Sequence, residues 1–156
     1  MINKHGTAFL LLLLAMSWST PAAAHLGDTR GLSVKHHGEG QVMDAVAPAT
    51  NTLKHAQGAV EVTADFIDDA TQRITFVKKG TFDASEIAVL LAANAQGKAW
   101  KPESSTPNAE AGRVVTQSWL RSDRASAELS VSDGVSRLVI STRVWILKKL
   151  RSALAE

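Results

Sequence analysis

Cysteine is absent from all 156 residues. That excludes a disulfide framework, a thiolate metal site, a cysteine nucleophile and a lipid anchored through an N-terminal Cys. Tyrosine is absent as well, and four Trp and four Phe make up the whole aromatic content, a poor supply for stacking bases or sugars. The Gly-x-Ser-x-Gly, HExxH, Walker and dinucleotide fingerprints are all missing. A net charge of only +2 supplies none of the dense basic stripe that nucleic-acid binders show. What remains is ordinary globular usage, 45% hydrophobic and 21% charged, enough for one folded domain.

The first segment carries an address. Lys4 gives a short positive region, Ala8 to Met16 is apolar, Pro21 breaks the helix, and Ala22-Ala23-Ala24 supplies the small side chains a signal peptidase needs. Ser17, Ser19 and Thr20 stop the apolar run well short of the about 18 residues a spanning helix requires. Residues 1–24 are therefore expected to be a secretory signal, cleaved to leave His25 first, with the product exported to the periplasm or medium and holding no membrane span. The charge after that point is uneven. Residues 25–112 hold 8 Lys/Arg against 11 Asp/Glu, and residues 113–156 hold 8 against 4.

Residues 25–57 show no sustained period of 2 or 3.6 and carry Gly27, Gly31, Gly38, Gly40 and Pro48. This pattern predicts a flexible leader, with at most a short helical piece near Thr52–Gln57. Regular structure is expected over residues 58–156. Val60, Val62, Ala64 and Phe66 alternate with polar residues, Asp68 to Gln72 makes a turn, and Arg73–Lys78 returns as a second strand. Asp83 and Glu86 form a capping box, with Phe82 and Ile87 as hydrophobic staple, so a helix is predicted over Asp83–Gln96. Lys98–Gly112, with Pro102 and Pro107, is expected to be a loop whose Trp100 packs back over the helix end. Arg113–Arg121 resumes a strand. Asp133-Gly134 is a type I′ turn signal that pairs Leu129 with Leu138 and Ala127 with Ile140, which gathers the apolar side chains of both strands on one face. The end favours a helix over 143–155, with Val144, Leu147, Leu150 and Leu154 as the buried stripe and Lys148, Lys149 and Arg151 in water; the alternative is a strand running on to Leu147. The expected fold is α+β, in two layers, with an antiparallel sheet of about five strands in the order β-β-α-β-β-β-α and two helices covering one face.

All histidines after the signal, His25, His36, His37 and His55, fall within the leader, beside Asp28, Glu39 and Asp44. Imidazole and carboxylate donors suit a divalent transition metal such as Zn²⁺, Cu²⁺ or Ni²⁺, and a processed His25 adds a chelating α-amine. The competing reading is a polar tail that binds metal only adventitiously. Asp68 and Asp69 in a turn and Asp83 in a cap offer no paired carboxylates for acid–base work. Arg113, Arg121, Arg124, Arg137 and Arg143 form a cationic surface only if their strands are neighbours, while Arg121, Asp123 and Arg124 suggest a salt-bridged turn. The leading expectation is a small exported, non-enzymatic protein that binds another envelope or secreted protein, or an anionic envelope polymer. The alternatives are metal binding through the histidines and an envelope enzyme without a recognisable motif.

Overall fold

Alternating apolar residues build one sheet whose inner face carries Val62, Ile74, Phe76, Ala127, Leu129, Leu138 and Ile140, all buried in a single cluster. The computed structural model describes residues 25–103 and 114–155. The expected signal segment, residues 1–24, and most of the expected loop lie outside those residues, as does Arg113.

The elements run α1 (Arg30–His37), β1 (Gln41–Met43), β2 (Asn51–Gln57), β3 (Val60–Ile67), β4 (Ala70–Lys79), α2 (Ala84–Ala93), β5 (Trp100–Glu103), β6 (Val114–Arg121), β7 (Ser126–Ser132), β8 (Val135–Ser141) and α3 (Arg143–Ala153). The eight strands form one antiparallel sheet in the order β1-β2-β3-β4-β8-β7-β6-β5. Each half is a helix followed by a four-stranded meander, and the halves join where β4 pairs with β8. Both edge strands are short, three residues in β1 and four in β5, and β5 contains Pro102; short, proline-bearing edges resist pairing with other chains.

This corrects the five-strand, two-helix expectation. The presumed flexible leader holds α1, β1 and β2, and Thr52–Gln57 is strand, fully paired with β3. The expected loop holds β5, where Trp100 pairs with Arg121. Nor do the helices share one face. Leu90 and Leu91 of α2 pack on the inner face, and Val34 of α1 packs there against Leu53, Ala64 and Phe66. Trp145 of α3 lies instead over Arg73 on the opposite, polar face.

Several local expectations match the structure. Asp83 accepts from the Glu86 amide at 2.8 Å while the Glu86 carboxylate accepts from the Asp83 amide at 2.9 Å, and Phe82 and Ile87 are both buried. Asp133 (φ 51°) and Gly134 (φ 71°) adopt the left-handed pair of a type I′ turn, and β7–β8 pair as Leu129↔Leu138 and Ala127↔Ile140. Asp68 and Asp69 make a second such turn, at φ 52° and 61°. Residues 143–153 are helix, capped by the Thr142 hydroxyl, which accepts from the Trp145 amide at 3.2 Å. Trp100 does pack over the end of α2, where its indole N–H donates to the Leu91 carbonyl at 2.8 Å.

A buried polar joint closes the fold. Asn94, fully buried, accepts from the Leu26 amide at 2.9 Å and donates to the Leu90 carbonyl at 3.0 Å. Arg121, only 2% exposed, donates to the Asn94 carbonyl and the Gln96 side chain and forks onto Asp123 with two 2.8 Å bonds. The expected salt-bridged turn is thus present, with its arginine inside the protein. The Arg121 guanidinium holds the Asp123 carboxyl far below the usual carboxylate range. Asn94→Ala strands the buried Leu26 amide and should cost about 1–3 kcal/mol; an unchanged urea midpoint for this variant would remove the joint from the account.

Candidate metal centre

The four histidines expected as ligands come together. Three backbone features bring them there. His25 and Asp28 belong to a segment pinned to the start of β4: Gly27 N–H donates to the Thr71 carbonyl (2.8 Å), and the Thr71 amide and hydroxyl both donate to the Asp28 carbonyl (2.9 Å each). His36 and His37 close the last turn of α1, where cationic or polar side chains suit the helix dipole. His55 lies on β2 opposite Val62, so the sheet pleat turns it inward with the core residues.

The resulting chain of rings has centroid separations of 5.6 Å (His25–His36), 6.2 Å (His36–His37) and 5.3 Å (His37–His55). At its open end Asp28 Oδ2 stands 3.5 Å from His25 Nδ1 and 3.3 Å from His36 Nδ1, and the three donor atoms all lie within 4.8 Å of one another. Ligand atoms about 2.0–2.1 Å from a tetrahedral Zn²⁺ stand about 3.3 Å apart. The spacing is close to that of a metal's coordination edge. With no ion bound, the same atoms suit an ion pair between Asp28 and a protonated imidazole.

The inner end is dry. His55 is 4% exposed, and neither of its ring nitrogens has a hydrogen-bond partner among the described residues; His37 Nε2 is in the same condition. His37 Nδ1 is engaged by the Gln57 amide. Burial, followed by the repulsion of His55, His36 and His25, pulls the His37 pKa down to about 4 against a smaller opposing pull from Asp28; burial lowers His55 as well. Neutral imidazole is the metal-binding form, so His37 stays ready for a metal under mildly acidic conditions, and burial shifts His55 in the same direction. Gly40, just before β1, makes room for this pair: a Cβ there would stand 2.5 Å from the His55 ring.

Other residues singled out by sequence do not converge. Glu39 is exposed, and Asp44 lines a cleft on the far side of the sheet. Of the arginines, Arg121 is buried in the joint and Arg137 lies on the polar face, so these two share no surface, whereas Arg121 and Arg143 line one shallow pocket beside the joint. The polar face itself escaped sequence reasoning. Lys54, Glu61, Thr63, Asp65, Arg73 and Arg137 help line a cleft of about 520 Å³ there. Its trace in the sequence is the polar half of each strand's alternation, which marks a wet face but not a concave one.

Two expectations follow for the metal-free protein. Unfolded, His37 takes its proton near the ordinary 6.5; folded, only near 4. Between these values the unfolded chain binds the extra proton, so this group's contribution makes stability fall as pH drops from 6.5 towards 4 and leaves it flat above 6.5. A His37→Gln variant should flatten that slope in thermal melts, and an unchanged slope would count against it. Gly40→Ala should displace His55 and lower the melting temperature, which differential scanning calorimetry can check.

Function has to be argued from this geometry, because no family model, curated protein or solved structure matches the chain.

Proposed function

We propose that this chain is an exported, non-enzymatic metal-binding protein whose histidine cluster takes a divalent transition metal, zinc or copper. The observation that carries this reading is His55, a buried imidazole with both nitrogens unpartnered among the described residues, next to His37, whose Nε2 is unpartnered too while its Nδ1 meets Gln57. Buried polar groups are normally satisfied, and an exception at a cluster of ligating side chains points to an absent ligand. Imidazoles with a single carboxylate favour zinc and copper over magnesium or calcium, which prefer all-oxygen shells. His25, Asp28 and His36 would hold an ion at the open end, while His37 and His55, outside that three-donor set, would offer a second pair of imidazoles for an ion at the inner end. Gln57, whose side-chain amide N–H faces His37 Nδ1, would orient that ring from outside the ligand set. Export rests on the signal-like segment 1–24, and its cleavage would add the His25 α-amine to the donors.

Isothermal titration of the chain beginning at His25 with Zn²⁺ and with Cu²⁺ tests this. Affinity of micromolar or tighter is expected, falling at least about tenfold in His36→Ala and in His55→Ala, the loss typical when a metal site is disrupted. An extra residue before His25 should weaken copper more than zinc. Millimolar affinity, or affinity indifferent to both substitutions, would refute the proposal.

A further inference from the structure

The face that α3 turns outward is the reverse of what its sequence suggests. At 100° per residue, Val144, Leu147, Leu150 and Leu154 fall within an arc of about 120°. These four are the residues left in solvent, at 48%, 42%, 56% and 87% exposure. The side that meets the protein is that of Trp145, 5% exposed and stacked 5.2 Å from the Arg73 guanidinium. The helix is fastened at its N-terminal end, where Thr142 caps it and the Thr142 amide donates to the Gln72 carbonyl at 2.9 Å. Residues 151–155 are all exposed. A helix fastened at its N-terminal end therefore presents an apolar stripe, interspersed with Arg143 and Arg151, to solvent.

Its charge identifies the occupant. The helix carries Arg143, Lys148, Lys149 and Arg151 and no acidic residue, and Arg143 and Arg151 stand within or beside the leucine arc. Only Lys148 has an ion pair among the described residues, a 3.5 Å contact with the exposed Asp68. A second copy packed stripe to stripe would set cation against cation. A helix with leucines and basic residues on one outward side fits an interfacial position, the leucines among acyl chains and the cations at anionic headgroups. No helix among the described residues is long and apolar enough to cross a membrane; this mode requires none. We propose that α3 docks the protein peripherally on an anionic lipid surface.

Vesicle co-sedimentation of the full chain tests this, with phosphatidylglycerol–phosphatidylcholine vesicles compared against phosphatidylcholine alone. The readout is the preference for anionic vesicles, because the apolar segment before His25 holds only Lys4 and supplies little of it. Binding should be stronger on the anionic vesicles and weaken in high salt, where screening shortens to a few Å. Lys148→Gln and Arg151→Gln should each lower partitioning about fivefold. Leu147→Glu with Leu150→Glu should lower it at least tenfold. These positions are exposed, so circular dichroism and zinc affinity should stay unchanged. Equal binding to both vesicle types, or full binding by the leucine variant, would overturn the proposal. A dimer in light scattering that the leucine variant abolishes would overturn it too, in favour of self-association.

Discussion

Asn94 is the joint on which the candidate site depends. An amide side chain with no solvent exposure is tolerable only if its bonds are made inside the protein, and here they tie three separate parts of the chain. It binds the Leu26 amide, it closes the end of α2 at Leu90, and its own carbonyl receives Arg121 from β6. Gln96 completes the loop by donating to the Leu26 carbonyl while accepting from Arg121. Leu26 is thereby fixed in the core, and the next two residues are held against Thr71. Asp28 and His25 cannot drift from His36 without breaking this set. A segment that composition marks as loose is rigid because a buried amide nearly 70 residues later needs it.

The two faces of the sheet explain the rest of the architecture. On the inner face, valine, isoleucine, leucine and phenylalanine from β3, β4, β7 and β8 offer apolar surface, and α1 and α2 bury their own apolar residues against it. The outer face offers Thr75, Arg73, Asp65, Arg137 and Glu128, with Val77 and Val139 among them. A helix crossing it gains little by turning leucines inward. A single indole that stacks on Arg73 is the better fit, and Trp145 takes that place. The amphipathic pattern of 143–154 identified a helix correctly but not its orientation, because the pattern is silent about what lies beneath.

Local chemistry was legible in the sequence where the relevant partners lie close together in the chain. The Asp83–Glu86 box, the Asp133-Gly134 turn and the strand register that turn imposes all act within a few residues. β2 escaped notice for a physical reason: its inward positions are Leu53 and His55, and a histidine on the apolar side erases the alternation that marks a strand. β1 and β5 are too short for any period to emerge, and Pro102 argues against the strand it occupies. The histidines could be counted in the sequence as a concentration of donors, but their convergence could not. It arises from a helix C-terminus, a strand pleat and a pinned turn that meet only in three dimensions.

His55 is the position that joins fold and proposed chemistry. A leucine there would continue the inner face beside Val62 and extend the core, with no nitrogen left unpaired. The chain instead buries an imidazole, sets a second imidazole 5.3 Å away and leaves a glycine at 40 where any side chain would strike the ring. Each of these choices costs stability in the metal-free state. A metal would recover that cost by accepting the lone pairs the protein leaves unmatched, and it would do so at the junction of α1 and β2. Ligand binding and the ordering of the N-terminal half are then one equilibrium, in which whatever binds the native site stabilises the segment that builds it.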